Sequence, residues 1–132
     1  MTVVLDASAM LAYLRGESGA HRVAEAITGG ALMSAANWTE VLSKAAEEGQ
    51  DPEEFTVWLQ TQGILGRGVE VLPLTAIDAT IIAKLRPLTR SAGLSLGVRA
   101  CLALGMRLQL PVLTADRIWA GLGLDVDVRL IR

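Results

Sequence analysis

Several residue types are scarce in this chain of 132 residues, and each scarcity closes a route. Cys101 is the only cysteine, so no intrachain disulfide can form. It lies in the apolar stretch Arg99-Ala100-Cys101-Leu102-Ala103-Leu104 with no histidine beside it, which fits a buried inert thiol better than a nucleophile. The single histidine, His21, opens a helical pattern and reads as solvent-facing rather than as a metal ligand. Aromatic residues make up only 4%, so a core must be built from Ala, Leu and Val. No apolar run approaches the ~18 residues of a membrane span. The N-terminus lacks a basic leader, and Asp6 interrupts its first apolar run, so a soluble, cytoplasmic protein with no signal peptide is expected.

Basic excess is also absent. Twelve Lys and Arg stand against fourteen Asp and Glu, for a net charge of −2. Any contact with nucleic acid therefore needs a local patch. Lys84, Arg86, Arg90, Arg99 and Arg107 cluster in the C-terminal half and would supply one, although scattered solvated surface fits them as well. What the chain does have is apolar content: 52% hydrophobic against 20% charged residues, the balance of a globular protein and a length that fits one domain over residues 1–132.

Short apolar runs alternate with helical patterns. Strands are expected at Val3 to Leu5, Ala31 to Ser34, Val69 to Pro73 and Val112-Leu113, with a fifth at the sheet edge over Asp127 to Ile131. Helices are expected over Ala7 to Leu14, Ala20 to Ile27 and Ala35 to Glu48. Another starts at Asp51-Pro52, one is capped by Thr75, and one opens at Ser95 and runs to about Met106. The Thr75 helix should bury Ala79, Ile82, Ala83 and Leu85 and end or kink at Pro87. Thr89 to Gly93 should be a loop, and Asp116 to Leu122 a short helix or turn. The glycine-rich segment Gly63 to Gly68 lacks the preceding strand and the Gly-Lys-Ser/Thr ending of a phosphate loop and reads as a plain connection. This order calls for an α/β fold, a three-layer α/β/α sandwich with a mostly parallel sheet.

Three acids stand out in that frame. Asp6 closes the first strand, Asp116 follows the fourth, and Glu40 lies near the start of the helix after the second. An acid just past a buried parallel strand sits at the carboxyl edge of the sheet, where open α/β sheets bind ligands. Two carboxylates ~4 Å apart repel by about 4 kcal/mol at an effective dielectric of 20, so such a cluster needs a shared proton or a cation. Hard oxygen donors favour Mg²⁺ or Mn²⁺, and a bound divalent ion suits phosphodiester hydrolysis. Helix capping explains Asp6 and Asp116 equally well, and a solvated helix position explains Glu40. Spacing leaves both readings open.

Four segments, Val3-Val4-Leu5-Asp6-Ala7-Ser8-Ala9, Trp38-Thr39-Glu40-Val41, Gly93-Leu94-Ser95-Leu96-Gly97 and Val112-Leu113-Thr114-Ala115-Asp116, together resemble the PIN-domain family. They are most similar to its VapC-type toxin ribonucleases of bacterial toxin–antitoxin pairs. The resemblance covers essentially the whole chain. It implies a parallel α/β/α sandwich and Mg²⁺- or Mn²⁺-dependent endoribonuclease chemistry on RNA. It also implies a homodimer and a cognate VapB-like antitoxin that inserts a peptide near the active site. Asp6, Glu40 and Asp116 match the family's catalytic and metal-binding acids, and Ser8 and Thr114 match the small hydroxyl residues beside them. By that resemblance Asp6 and Asp116 anchor the metal, while Glu40 ligates it or orients the attacking water.

Val98 departs from the pattern. The family usually carries Asp after Gly-Leu-Ser-Leu-Gly, and this chain has Gly97-Val98-Arg99. With Ser95 as N-cap, Val98 is the third helical residue, where negative charge is favoured and valine brings none. A substituted, attenuated enzyme and a naturally degenerate member both fit. A non-catalytic binding module is the alternative function, with Trp38, Phe55, Trp58 and Leu59 as candidate contacts, although ordinary core packing explains these residues too. A phosphatase of haloacid-dehalogenase type also ends its first strand with Asp, but it normally carries a second Asp where this chain has Ser8.

Overall fold

The computed structural model of the chain describes residues 2–132. Five strands, β1 (Val3–Leu5), β2 (Ala31–Ser34), β3 (Val69–Leu72), β4 (Val112–Thr114) and β5 (Val128–Leu130), form one sheet in the order β3-β2-β1-β4-β5. Every pairing in it is parallel. Six α-helices connect them: α1 (Ala7–Arg15), α2 (Ala20–Thr28), α3 (Ala35–Glu47), α4 (Pro52–Thr61), α5 (Ala76–Thr89) and α6 (Leu96–Leu108). This is the expected α/β architecture, with the edge strand β5 at Val128–Leu130. No helix among the described residues is long and apolar enough to cross a membrane.

The helix ends follow local chemistry. Asp6, Ser34, Asp51, Thr75 and Ser95 each accept a backbone N–H in the first turn of the helix they precede. Such a cap contributes about 1 kcal/mol over alanine. Gly16 closes α1 in the left-handed region, donating to the Ala12 and Tyr13 carbonyls. Gly19 starts α2 at φ 91°, and a Cβ there would come within 2.6 Å of the Ile131 carbonyl oxygen.

Alternation along the strands builds two apolar layers, one on each face of the sheet. Val3 and Leu5 point to one face with Met10, Val23, Met33 and Val41, from α1, α2, β2 and α3. Val4 and Val112 point to the other with Leu85, Cys101, Leu102 and Leu104, from α5 and α6. Each fully buried Leu or Val contributes about 1.5–3 kcal/mol. Leu59 is one of them, at 0% exposure, and so cannot be a partner contact.

The structure corrects four further sequence expectations. Pro87 does not end α5, which runs on two residues to Thr89 although the missing amide forgoes a bond to the Ala83 carbonyl. The buried face of α5 is Asp78, Ile82, Leu85 and Thr89, and Ala79 and Ala83 are exposed. Asp78 tolerates burial because Arg107 on α6 binds both of its oxygens. Arg107 therefore leaves the candidate basic patch, whereas Arg99 is half-buried and donates to the Ile82 carbonyl at 3.1 Å, with its charge in no ion pair among the described residues. Finally, residues 90–92, expected as loop, form a 3-10 turn.

The strand order has one consequence for function. The chain moves from β1 outward through β2 to β3, then returns to the opposite side of β1 for β4. Open parallel sheets leave a crevice at such a reversal, beyond the carboxyl ends of the two strands. Here those ends are Leu5, followed by Asp6, and Thr114, followed by Ala115 and Asp116.

Candidate functional site

Asp6 is the centre of the crevice and is 3% exposed. Its Oδ1 accepts the Ala9 amide at 2.7 Å, so it caps α1 as expected of an acid in that position. The same carboxylate accepts the Thr114 hydroxyl at Oδ2, at 2.6 Å. Ser8 Oγ lies 2.9 Å from Oδ1 and 2.8 Å from Oδ2. The two hydroxyls are themselves oriented by backbone donors: Ala115 N–H donates to Ser8 Oγ and Asp116 N–H to Thr114 Oγ1, each at 3.0 Å. With those lone pairs occupied, both hydroxyl protons are directed at Asp6. Ser8 and Thr114 thus bridge β1–α1 to the end of β4 through one carboxylate.

Asp6 carries a charge that nothing nearby cancels. Its pKa is raised from 3.8 to about 6: burial pushes it up most, hydrogen bonds from Thr114, Ala9 and Ser8 hold it down in part, and the charge of Glu40 adds to the rise. Partial burial raises the Glu40 pKa as well. Among the described residues, no lysine or arginine forms an ion pair with either carboxylate.

Glu40 sits on the second turn of α3 and reaches across to the first turn of α6. A Cβ on Gly97 would overlap Glu40 Oε1, so the absence of a side chain at 97 makes the cradle in which this carboxylate rests. The N-terminal turn of a helix favours negative charge there. Between Asp6 and Gly97 lies Asn37, 2% exposed, bonded to Ala7 N–H and to the Gly97 carbonyl. Sequence reasoning passed over both Asn37 and Gly97. An isolated Asn inside a helix has no periodic signal, and a glycine after a cap looks like any other; only the missing Cβ beside an acid marks it.

Asp116 is placed differently. Its backbone joins the network through Thr114, but its carboxylate turns away to accept the Ile118 amide at 3.0 Å, capping the turn that follows β4. Among the described residues, no three His, Cys, Asp or Glu side chains gather closely enough to hold a metal ion. The crevice therefore brings together Asp6 and Glu40, with Ser8 and Thr114, and leaves the Asp116 carboxylate at its margin. Val98 is the third residue of α6, with its amide bonded to Ser95 Oγ at 3.2 Å. Its side chain is half-buried against the α5–α6 layer. Cys101, one turn on, is fully buried, and burial pushes its thiol pKa well up, with the charges of Asp6 and Glu40 adding to the effect.

The donor set fits a hard divalent cation. Asp6 and Glu40 are two hard oxygen donors with no cationic partner among the described residues, and Mg²⁺ is typically held through one or two carboxylates with water completing the shell.

The PIN domain family profile matches residues 3–123. Comparison with curated protein sequences finds no match. Among solved structures, a toxin–antitoxin complex from Klebsiella pneumoniae is similar at TM-score 0.74 and 19% identity, covering 98% of each chain. DNA-bound VapBC from Salmonella typhimurium is similar at TM-score 0.73 and 14% identity, covering 100% of this chain and 99% of the other. FitAcB from Neisseria gonorrhoeae is similar at TM-score 0.67 and 19% identity, covering 97% and 96%. At these identities the structural likeness speaks for the fold, whereas the profile spans nearly the whole sequence: the chain belongs to the PIN-domain family.

Proposed function

We propose that this chain is a VapC-like toxin, a divalent-metal-dependent endoribonuclease that cleaves RNA phosphodiester bonds, attenuated by Val98. One observation carries the reading. A buried carboxylate, Asp6, is held by three donors at the carboxyl edge of a parallel sheet, faces a second acid, Glu40, and has no basic partner. An acid in that state is destabilising unless a cation joins it.

Asp6 and Glu40 would hold Mg²⁺ or Mn²⁺, with Ser8 and Thr114 fixing the orientation of Asp6. Asp116 holds Ile118 through Oδ1 alone, and its second oxygen would be the one to turn toward the same ion. A bound divalent ion supplies positive charge against a phosphate oxygen and an acidified water. Glu40 is suited to orient that water, since it is the more exposed of the two acids. By the family resemblance, Asp at position 98 would bring an acid to the first turn of α6, next to the glycine that seats Glu40, and valine there supplies neither a hard ligand nor a negative charge.

The test is Val98→Asp. The substitution should raise Mg²⁺-dependent cleavage of RNA by about ten-fold or more and make expression toxic. A Val98→Asp protein that cuts no RNA with Mg²⁺ or Mn²⁺ contradicts the enzyme reading.

Partners follow from the same reading. The similar Klebsiella pneumoniae structure is a toxin–antitoxin complex and the Salmonella typhimurium one is DNA-bound VapBC, which supports a VapB-like antitoxin here; a homodimer is proposed with it from the family resemblance. A cleft between α1, α3 and α4, lined by Leu11, Leu14, Val41, Phe55 and Trp58, offers an apolar surface for a partner segment. Trp58 is 52% exposed beside it. The second reading, a non-catalytic binding module, is favoured by one observation: among the described residues, no three acids gather at the crevice. Co-purification of a small partner together with an inert Val98→Asp protein would select it.

A further inference from the structure

Asp6 and Glu40 reach the crevice from separate elements, α1 and α3, and the cradle under Glu40 belongs to a third, α6. Sheet pairing aligns β1 with β2 and β4 but leaves the starts of α1 and α6 without a direct ladder between them. One side chain makes that link. Asn37 Oδ1 accepts Ala7 N–H at 3.2 Å, and Asn37 Nδ2 donates to the Gly97 carbonyl at 3.0 Å. Ala7 follows Asp6 directly, Gly97 cradles Glu40, and Asn37 lies three residues before Glu40, on the same side of α3.

Asparagine is a poor residue for a buried helix interior. It lowers helix propensity, and its amide must be fully bonded to tolerate 2% exposure. Both ends of this amide are used, on two different helices. The Ala7 amide is one of the four first-turn donors that α1 cannot satisfy internally. Asp6 takes the Ala9 amide, and Asn37 takes Ala7. The same α3 face thus fixes the first turn of α1 and carries the acid facing Asp6.

We propose that Asn37 is a positioning residue of the acidic crevice, holding the starts of α1 and α6 at the separation that seats Glu40 beside Asp6. The consequence is that the two carboxylates are juxtaposed by protein contacts before any cation arrives. This inference rests on the reading of Asp6 and Glu40 as a cation site, and the experiment separates the two.

In the metal-free full chain, a nuclear Overhauser contact between the Glu40 side-chain protons and the Gly97 Hα protons reports the seating directly. It should be present in the wild type and lost in Asn37→Ala. Asn37→Asp keeps the shape and the acceptor for Ala7 but replaces the donor facing Gly97 with an oxygen, and it too should lose the contact. A control, Val23→Ala, removes buried volume in α2 and should retain it, so general destabilisation is distinguished from positioning. In parallel, Mn²⁺ affinity measured by calorimetry should fall about ten-fold or more in Asn37→Ala and stay unchanged in Val23→Ala. Retention of the Glu40–Gly97 contact in both Asn37 variants overturns the proposal, as does its loss in the Val23 control. If the wild type binds no Mn²⁺, the cation reading fails, and the metal-free contact still decides the role of Asn37.

Discussion

Two aspartates in this molecule are buried to the same degree and treated in opposite ways. Asp6 and Asp78 are each 3% exposed, and each lies at the start of a helix, Asp6 as N-cap of α1 and Asp78 in the capping box of α5. Asp78 is met by Arg107. Burial alone would raise its pKa, but the hydrogen bonds and charge of Arg107 and the Thr75 cap outweigh burial and hold it below the usual carboxylate range. Asp6 is met by two hydroxyls, an amide and another acid, and its pKa is pushed up to about 6. The first arrangement neutralises a charge for stability. The second preserves one at the reversal point of the sheet, where a ligand can neutralise it.

The comparison breaks most easily at its stable end. Arg107→Ala leaves the Asp78 charge buried and unpaired and should lower unfolding free energy by about 3 kcal/mol, read by urea denaturation. Asp6→Asn should do the reverse. Asparagine caps a helix as well as aspartate, and removing the uncancelled charge should leave stability in chelator unchanged or raise it by about 1–2 kcal/mol. A loss as large as that of Arg107→Ala would make Asp6 an ordinary structural cap and remove the contrast.

The pH dependence should differ in sign as well. The folded pKa of Asp6, about 6, exceeds the ordinary 3.8, so the folded state holds its proton where the unfolded chain has released it. In chelator, its contribution to stability is complete below about 3.8 and is lost as pH rises to about 6. Asp78 is shifted the other way: its contribution is complete above the ordinary carboxyl pKa and is lost as pH falls through its lowered folded value. Asp6→Asn should therefore remove a decline in stability between about pH 4 and 6, and Arg107→Ala should weaken the decline at lower pH; thermal melts across pH 3–7 check both.

The smallest effect sharpens the contrast further. Gly97→Ala fills the cradle of Glu40. The displaced atoms are the end of a flexible side chain, and alanine favours the helix by up to about 1 kcal/mol. Stability should hold or rise slightly while Mn²⁺ affinity falls by about ten-fold, measured by calorimetry. Unchanged affinity would show that the seat of Glu40 does not matter.

The sequence made the elements legible because the strands are short apolar runs and the helices open on polar caps, in two cases directly at the strand end. Leu5-Asp6 and Ser34-Ala35 are of this kind, while Thr75 and Ser95 cap α5 and α6 after short connections, and the observed boundaries fall there. It also marked Asp6, at a strand end, and pointed to Thr114 through the family resemblance alone. It could not tell Asp78 from a solvated cap, because the arginine that permits burial lies 29 residues away on another helix. Nor could it assign the Asp116 side chain. Capping Ile118 and facing Asp6 differ by about one hydrogen bond, too small a difference for spacing to register. Asn37 was invisible for a related reason: its two partners lie 30 and 60 residues away.

The most direct test of the uncancelled-charge account is a calorimetric Mg²⁺ and Mn²⁺ titration of the full chain beside Asp6→Asn. The account predicts that the chain binds the ion and that the single loss of charge at Asp6 abolishes the heat. Indistinguishable isotherms for the two proteins would contradict it.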